Sequence, residues 1–180
     1  MKVYTSIPIW AIILHMICNN VSAELLFTGS TGFSIGNEIN KNRATLIGGG
    51  LHLLYPISDK SKIINTELGV ANWYNYYLLG DCEMQTIRFG LGIRVFLNSF
   101  QSIRPYFTHD ILNQIVLISN REGTANTFSI NLGLGINIPH KGRIIKSNHI
   151  DISYSRFNLG YFEIKNQGFS FMTINIGFTL

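Results

Sequence analysis

Oily and polar side chains take turns along most of this chain. Residues 86–97 read TIRFGLGIRVFL, with Ile87, Phe89, Leu91, Ile93, Val95 and Leu97 on one parity. Arg88, Gly90, Gly92, Arg94 and Phe96 fall on the other. Successive side chains of a strand point to opposite faces, so the alternation predicts a β-strand with one hydrocarbon face. The pattern recurs in eight runs, at 24–35, 44–55, 62–74, 86–97, 103–116, 126–138, 147–157 and 167–180. In the sixth, Phe128, Ile130, Leu132, Leu134, Ile136 and Ile138 oppose Thr127, Ser129, Asn131, Gly133, Gly135 and Asn137. In the eighth, Met172, Ile174, Ile176, Phe178 and Leu180 oppose Thr173, Asn175, Gly177 and Thr179.

A water-soluble sandwich would turn charged residues outward on the polar face. Here that face is rich in Gly, Ser, Thr and Asn, and the runs span 11–14 residues, beyond the usual five or six. A tilted strand needs about 9–11 residues to cross hydrocarbon. The oily face is therefore expected to meet lipid and the small polar face to line an interior. Strands in lipid must leave no backbone edge unpaired, which a closed barrel achieves. The expected fold is all-β, an eight-stranded antiparallel up-and-down transmembrane β-barrel over 24–180; a secreted soluble barrel of lipocalin type is the alternative. Links at PISDKS, NSFQS and PHKGRIIK should be the shorter turns, and those at NEINKNR, YYLLGDCEMQ, ISNREGTA and LGYFEIKN the longer loops. Trp73, Tyr74, Tyr76, Tyr77, Phe157 and Tyr161 near one rim, and Tyr55, Phe96 and Phe100 near the other, are expected to form aromatic girdles at headgroup level. Core aromatics are the competing reading.

Composition sharpens this. The 180 residues suit one domain, and only 13% are charged, about half the usual share of a soluble domain. A net charge of +4, scattered along the chain, gives no footprint for nucleic acid. Residues 1–23 combine Lys2, an interrupted apolar core and Val21-Ser22-Ala23, the layout of a signal peptide removed after Ala23. The core is short for a bilayer helix, which takes about 20 apolar residues. His15-Met16-Ile17 ahead of Cys18 lack the small residues of a lipoprotein signal. Beyond the leader stands one cysteine, Cys82, so no intrachain disulfide is expected; its place is expected in a surface loop. His15, His52, His109, His140 and His149 lack metal-ligand spacing, so no metal and no cofactor is expected. Gly48-Gly49-Gly50 and Gly133-x-Gly135 sit inside strand runs rather than at strand-to-helix turns, and are not phosphate loops.

Parity assigns His52, Glu67, Arg88, Arg94, Arg104, Asp110, His149 and Asp151 to the interior, three acids against three arginines. A hairpin turning near Leu79–Gly80–Asp81 would set Glu67 opposite Arg94, a charge-assisted pair. Eight strands enclose a space just wide enough for side chains to fill, so no open pore is expected. His149-x-Asp151-x-Ser153-x-Ser155 invites a hydrolase reading. At about 3.3 Å per residue, however, His149 and Ser153 stand about 13 Å apart along one strand, beyond hydrogen-bond reach; a partner from a neighbouring strand, such as Glu67 or Ser170, would be required.

The chain resembles the small outer-membrane β-barrels of Gram-negative bacteria, the OmpA-type transmembrane domain and its opacity-protein relatives. The resemblance rests on the leader, the eight runs, Arg104-Pro105-Tyr106-Phe107 and the alternating ending Thr173 to Leu180. It covers 24–180, and departs from the usual pattern in closing on Leu180 rather than Phe or Trp. It implies a porin-like fold in the bacterial outer membrane, with membrane lipid, lipopolysaccharide and the barrel-assembly machinery as partners. It implies a structural or surface-interaction role, with loops 36–43, 75–85, 117–125 and 158–166 facing an unidentified ligand at the cell surface. The alternative is a lipid-modifying enzyme like the lipid A deacylases, which use a His/Ser/Glu set. Their His-x-Ser-Asn pattern is missing here, and the non-enzymatic reading is favoured.

Overall fold

Each alternating run becomes a strand, with oily residues outside along its length and small polar residues inside except toward one end. The computed structural model describes residues 23–35, 44–57, 63–79, 82–98, 102–118, 124–142, 144–158 and 168–180. Its strands are β1 (Glu24–Ser34), β2 (Thr45–Pro56), β3 (Ile64–Leu79), β4 (Cys82–Leu97), β5 (Arg104–Ile118), β6 (Thr124–Pro139), β7 (Ser147–Asn158) and β8 (Gly168–Thr179). Each pairs antiparallel with its neighbour in sequence, and β1 pairs with β8 to close the barrel. Closure satisfies the strand edges that hydrocarbon would otherwise leave unpaired. Outward Ile47, Phe128 and Leu134 are 63%, 72% and 69% exposed, whereas inward Thr86, Gln114 and Ser129 are fully buried. That is the inverse of a water-soluble barrel, whose apolar residues face inward.

The hairpin register places Glu67 opposite Arg94. The hairpin itself is longer than the alternation suggested. β3 and β4 each run 16 residues, leaving only 80–81 between them. Most of the expected loop 75–85 is therefore ladder, with Tyr77 opposite Met84. Cys82 starts β4 instead of sitting in a loop. The expected contrast of short and long links fails here, since this link is shorter than the one at 140–146 on the opposite end. Residues 117–118 and 124–125 likewise belong to β5 and β6. Loops 36–43 and 159–166 lie outside the described residues.

Interior glycines stand where neighbouring groups leave no room for a Cβ. A methyl group on Gly50 would meet the Trp73 ring at 2.7 Å. One on Gly135 would meet Asp151 Cβ and the Tyr106 ring, both at 2.6 Å. Tyr106 and Asp151 are hydrogen-bonded to each other and cannot both yield cheaply. Gly135→Ala should lower the unfolding free energy by ~1–3 kcal/mol, the usual cost of overpacking. Urea titration of the refolded protein in micelles checks it; an unchanged midpoint would refute it.

Candidate functional site

The barrel interior has three levels. The first, at the end where β1 begins and β8 finishes, is a mouth of about 260 Å³ lined by Glu24, Glu67, Arg94, Arg104, Asn137 and Lys146 among others. Carboxylates reach it from β1 and β3, and guanidinium groups from β4 and β5. Asn137 Nδ2 donates to Ser147 Oγ at 2.8 Å.

The second level is polar and holds two hydrogen-bonded groups of side chains. Tyr106 Oη donates to Asp151 Oδ2 at 2.7 Å, and the Arg94 guanidinium lies 4.9 Å from the Tyr106 ring centre. Asn175 Nδ2 donates to Asp151 Oδ1 and to Ser153 Oγ, and Ser153 shares a 2.7 Å hydrogen bond with Thr173 Oγ1. Asn131 donates to Asp110 Oδ2 at 3.2 Å and accepts from Ser155 Oγ. Arg88 Nη1 donates to Ser155 at 3.0 Å. With the Asn75 amide oxygen turned toward it, Arg88 also donates from Nε and Nη2 at 2.9 and 2.6 Å. Its guanidinium carbon stands 5.7 Å from the Trp73 ring centre. The space left between Thr28, His52, Trp73, Arg94 and Asp110 is about 10 Å³, on the order of one water.

The third level is an apolar stopper at the opposite end, built from Ala44, Leu46, Tyr77, Met84, Val116, Phe157, Phe169 and Phe171. Phe171 stacks near-parallel to Phe157 at 6.0 Å and meets the Tyr77 ring edge-on at 4.8 Å, geometries that aromatic pairs favour.

Of the parity-assigned interior residues, His52, Glu67, Arg88, Arg94, Asp110, His149 and Asp151 are buried inside the barrel, while Arg104 is half-buried at the mouth. The girdle expectation needs correction. Trp73, Tyr77, Phe96 and Phe157 are buried on the inward face, because each shares parity with the lumen residues of its strand. Trp73 packs on His52 and Arg88, Phe96 on Tyr106, and Tyr77 and Phe157 form the stopper. Tyr74 and Tyr76 do project outward. Tyr55 has the outward parity of Leu51 but is only 5% exposed. Phe100 and Tyr161 lie outside the described residues. Asn75 and Tyr106 were not singled out for the interior network, and Asn131, Ser155 and Asn175 were given no partners in it. Their inward position was readable, but their partners follow from the register between strands.

The β7 residues do not assemble a hydrolase constellation. His149 faces Asn137 on β6 and Gly177 on β8, so no serine stands beside it in the ladder. Ser153 and Ser155 are engaged with Thr173, Asn175, Arg88 and Asn131. Ser170 faces outward, bonded to Tyr154 at 2.9 Å, and cannot serve an inward histidine. A nucleophile needs its base within about 3 Å, and none of these hydroxyls has one. Among the described residues no group of three or more His, Cys, Asp or Glu side chains is placed to hold a metal ion.

No protein-family model matches the chain, and no curated protein is significantly similar in sequence. Solved structures are similar in shape. The outer-membrane enzyme PagL superposes with a TM-score of 0.62 at 12% identity, over 84% of this chain and 97% of that one. Neisserial surface protein A gives 0.59 at 10% identity, over 88% and 98%. The N-terminal β-barrel domain of Pseudomonas aeruginosa OprF gives 0.51 at 14% identity, over 87% and 97%. Likeness at such low identity concerns the backbone. The chain has the fold of the small eight-stranded outer-membrane barrels.

Proposed function

We propose that this protein is an integral barrel of the bacterial outer membrane with a structural or surface-interaction role, exported through a leader ending at Ala23. The observation that carries this reading is the filled interior. Hydrogen bonds join Tyr106, Asp151, Asn175, Ser153 and Thr173, and separately Asp110, Asn131, Ser155, Arg88 and Asn75, while an aromatic stopper covers one end. A conducting protein would keep that space open along its axis. The lipid A deacylase reading has the PagL-like backbone in its favour, but among the described residues β7 and its ladder neighbours assemble no nucleophile and base. The loop-bearing end, where β1 meets β2 and β7 meets β8, faces the cell exterior in this proposal. Membrane lipid and lipopolysaccharide surround the wall, and the barrel-assembly machinery inserts it. A surface ligand of unidentified chemistry is met at the loops.

Two measurements test this. Refolded protein in a planar bilayer should give no steady conductance in concentrated potassium chloride, since the polar level and the stopper block the axis in series. Incubation with lipopolysaccharide should release no hydroxy fatty acid. A sustained open channel would sink the closed-barrel reading, and released acyl chains would replace it with the enzymatic one.

A further inference from the structure

The outward face of β7 runs Ile150, Ile152, Tyr154 and Arg156, turning from hydrocarbon to a guanidinium near the loop-bearing end. Arg156 is exposed two residues short of Asn158, where β7 ends. In the ladder it stands between Ile130 of β6 and Ser170 of β8. Beside it Tyr154 Oη and Ser170 Oγ share a 2.9 Å hydrogen bond on the same outer wall. Among the described residues, Arg156 is the one strand cation on the lipid face. Arg88 and Arg94 are buried inside, and Arg104 lines the mouth.

A charge on the lipid wall of a barrel costs ~2–4 kcal/mol at mid-membrane and ~0–1 near the interface. Arg156 sits where its long stem can lie on Ile130 and its head can reach the headgroups. Its counter-charge does not come from neighbouring described strands. β6 and β8 carry no carboxylate, and Asp151, the acid of β7, points inward to Tyr106 and Asn175. The anion at headgroup level is phosphate. A guanidinium offers two parallel donors to it, and the Ser170 and Tyr154 hydroxyls can rotate to supply more. A phosphomonoester, with three strong acceptor oxygens and a charge of about −1.5 to −2, matches that donor set.

We propose that Arg156, with Ser170 and Tyr154, forms a binding site on the outer wall for the phosphomonoester of a membrane lipid. This rests on the membrane placement proposed above. The test uses the full folded protein in detergent micelles, so it reads the site whichever end faces the cell exterior. Protease shaving of intact cells reads orientation separately. Folding of each variant is verified by heat-modifiable gel migration. Native mass spectrometry should show retained bis-phosphorylated lipid A, with retention about tenfold lower for the same lipid after enzymatic dephosphorylation. Arg156→Gln should reproduce that loss, Arg156→Lys should recover part of it, and Ser170→Ala should weaken binding less. Equal retention of the dephosphorylated lipid would overturn the proposal. So would unchanged retention in a correctly folded Arg156→Gln variant.

Discussion

Arg88→Ala should lower the unfolding free energy of the refolded barrel by ~3 kcal/mol or more, since hydrogen bonds to charged groups contribute ~1.5–3 kcal/mol each. Arg88 donates to Asn75 and Ser155 and lies against the Trp73 ring. Truncation strips a donor from two buried acceptors and opens a cavity between the polar level and the stopper. Asn131, held to Ser155 and Asp110, would lose the anchor of its neighbour. Arg88→Lys should restore only part of the loss, because an ammonium cannot present the planar fork that meets the Asn75 amide. Urea unfolding followed by tryptophan fluorescence checks both variants. If the alanine variant unfolds at the wild-type midpoint, the network is ornamental and the account of the interior is wrong.

Phe171→Ala should cost ~3–5 kcal/mol, the range for deleting a fully buried aromatic. Phe171 is 0% exposed and meets both Tyr77 and Phe157, so the hole cannot close without shifting two further rings. The variant should still pass no current in a planar bilayer, because the Arg88–Asn75–Ser155–Asn131 level remains across the axis. Loss of stability without gain of conductance separates a stopper that supports the wall from a gate. A variant that conducts steadily would assign the sealing to the aromatic level alone.

The stopper also explains which parts of this fold were legible in the sequence. Where the interior is polar, as along Arg88, Arg94, Asn131 and Asn175, inside and outside differ in chemistry and the period of two is plain. At the stopper both faces are apolar. Tyr76, Tyr77 and Leu78 read as one oily patch although Tyr77 points inward and the other two point outward. The contrast vanishes there, so the end of β3 and the start of β4 looked like a loop. Aromatics near the rim then looked like girdles. The register of Glu67 opposite Arg94 was readable because the centre of the hairpin is well marked by Gly80–Asp81. The contacts among Arg88, Ser155, Asn131 and Asp110 join β4, β7, β6 and β5. They depend on the combined stagger of several ladders, which no local pattern carries.

The ring of strands closes where β1 meets β8, with Leu26 opposite Thr179 and Ser34 opposite Phe171. These partners lie at opposite extremes of the paired chain, so the seam is the most sequence-remote contact in the cylinder and the slowest to find by diffusion. Until β8 arrives, β1 and β7 both present bare edges, templates for pairing with other molecules. A chain whose seam has not yet closed is therefore an aggregation hazard. Severing its last stave would leave a protein whose fate is tangling rather than slow leakage.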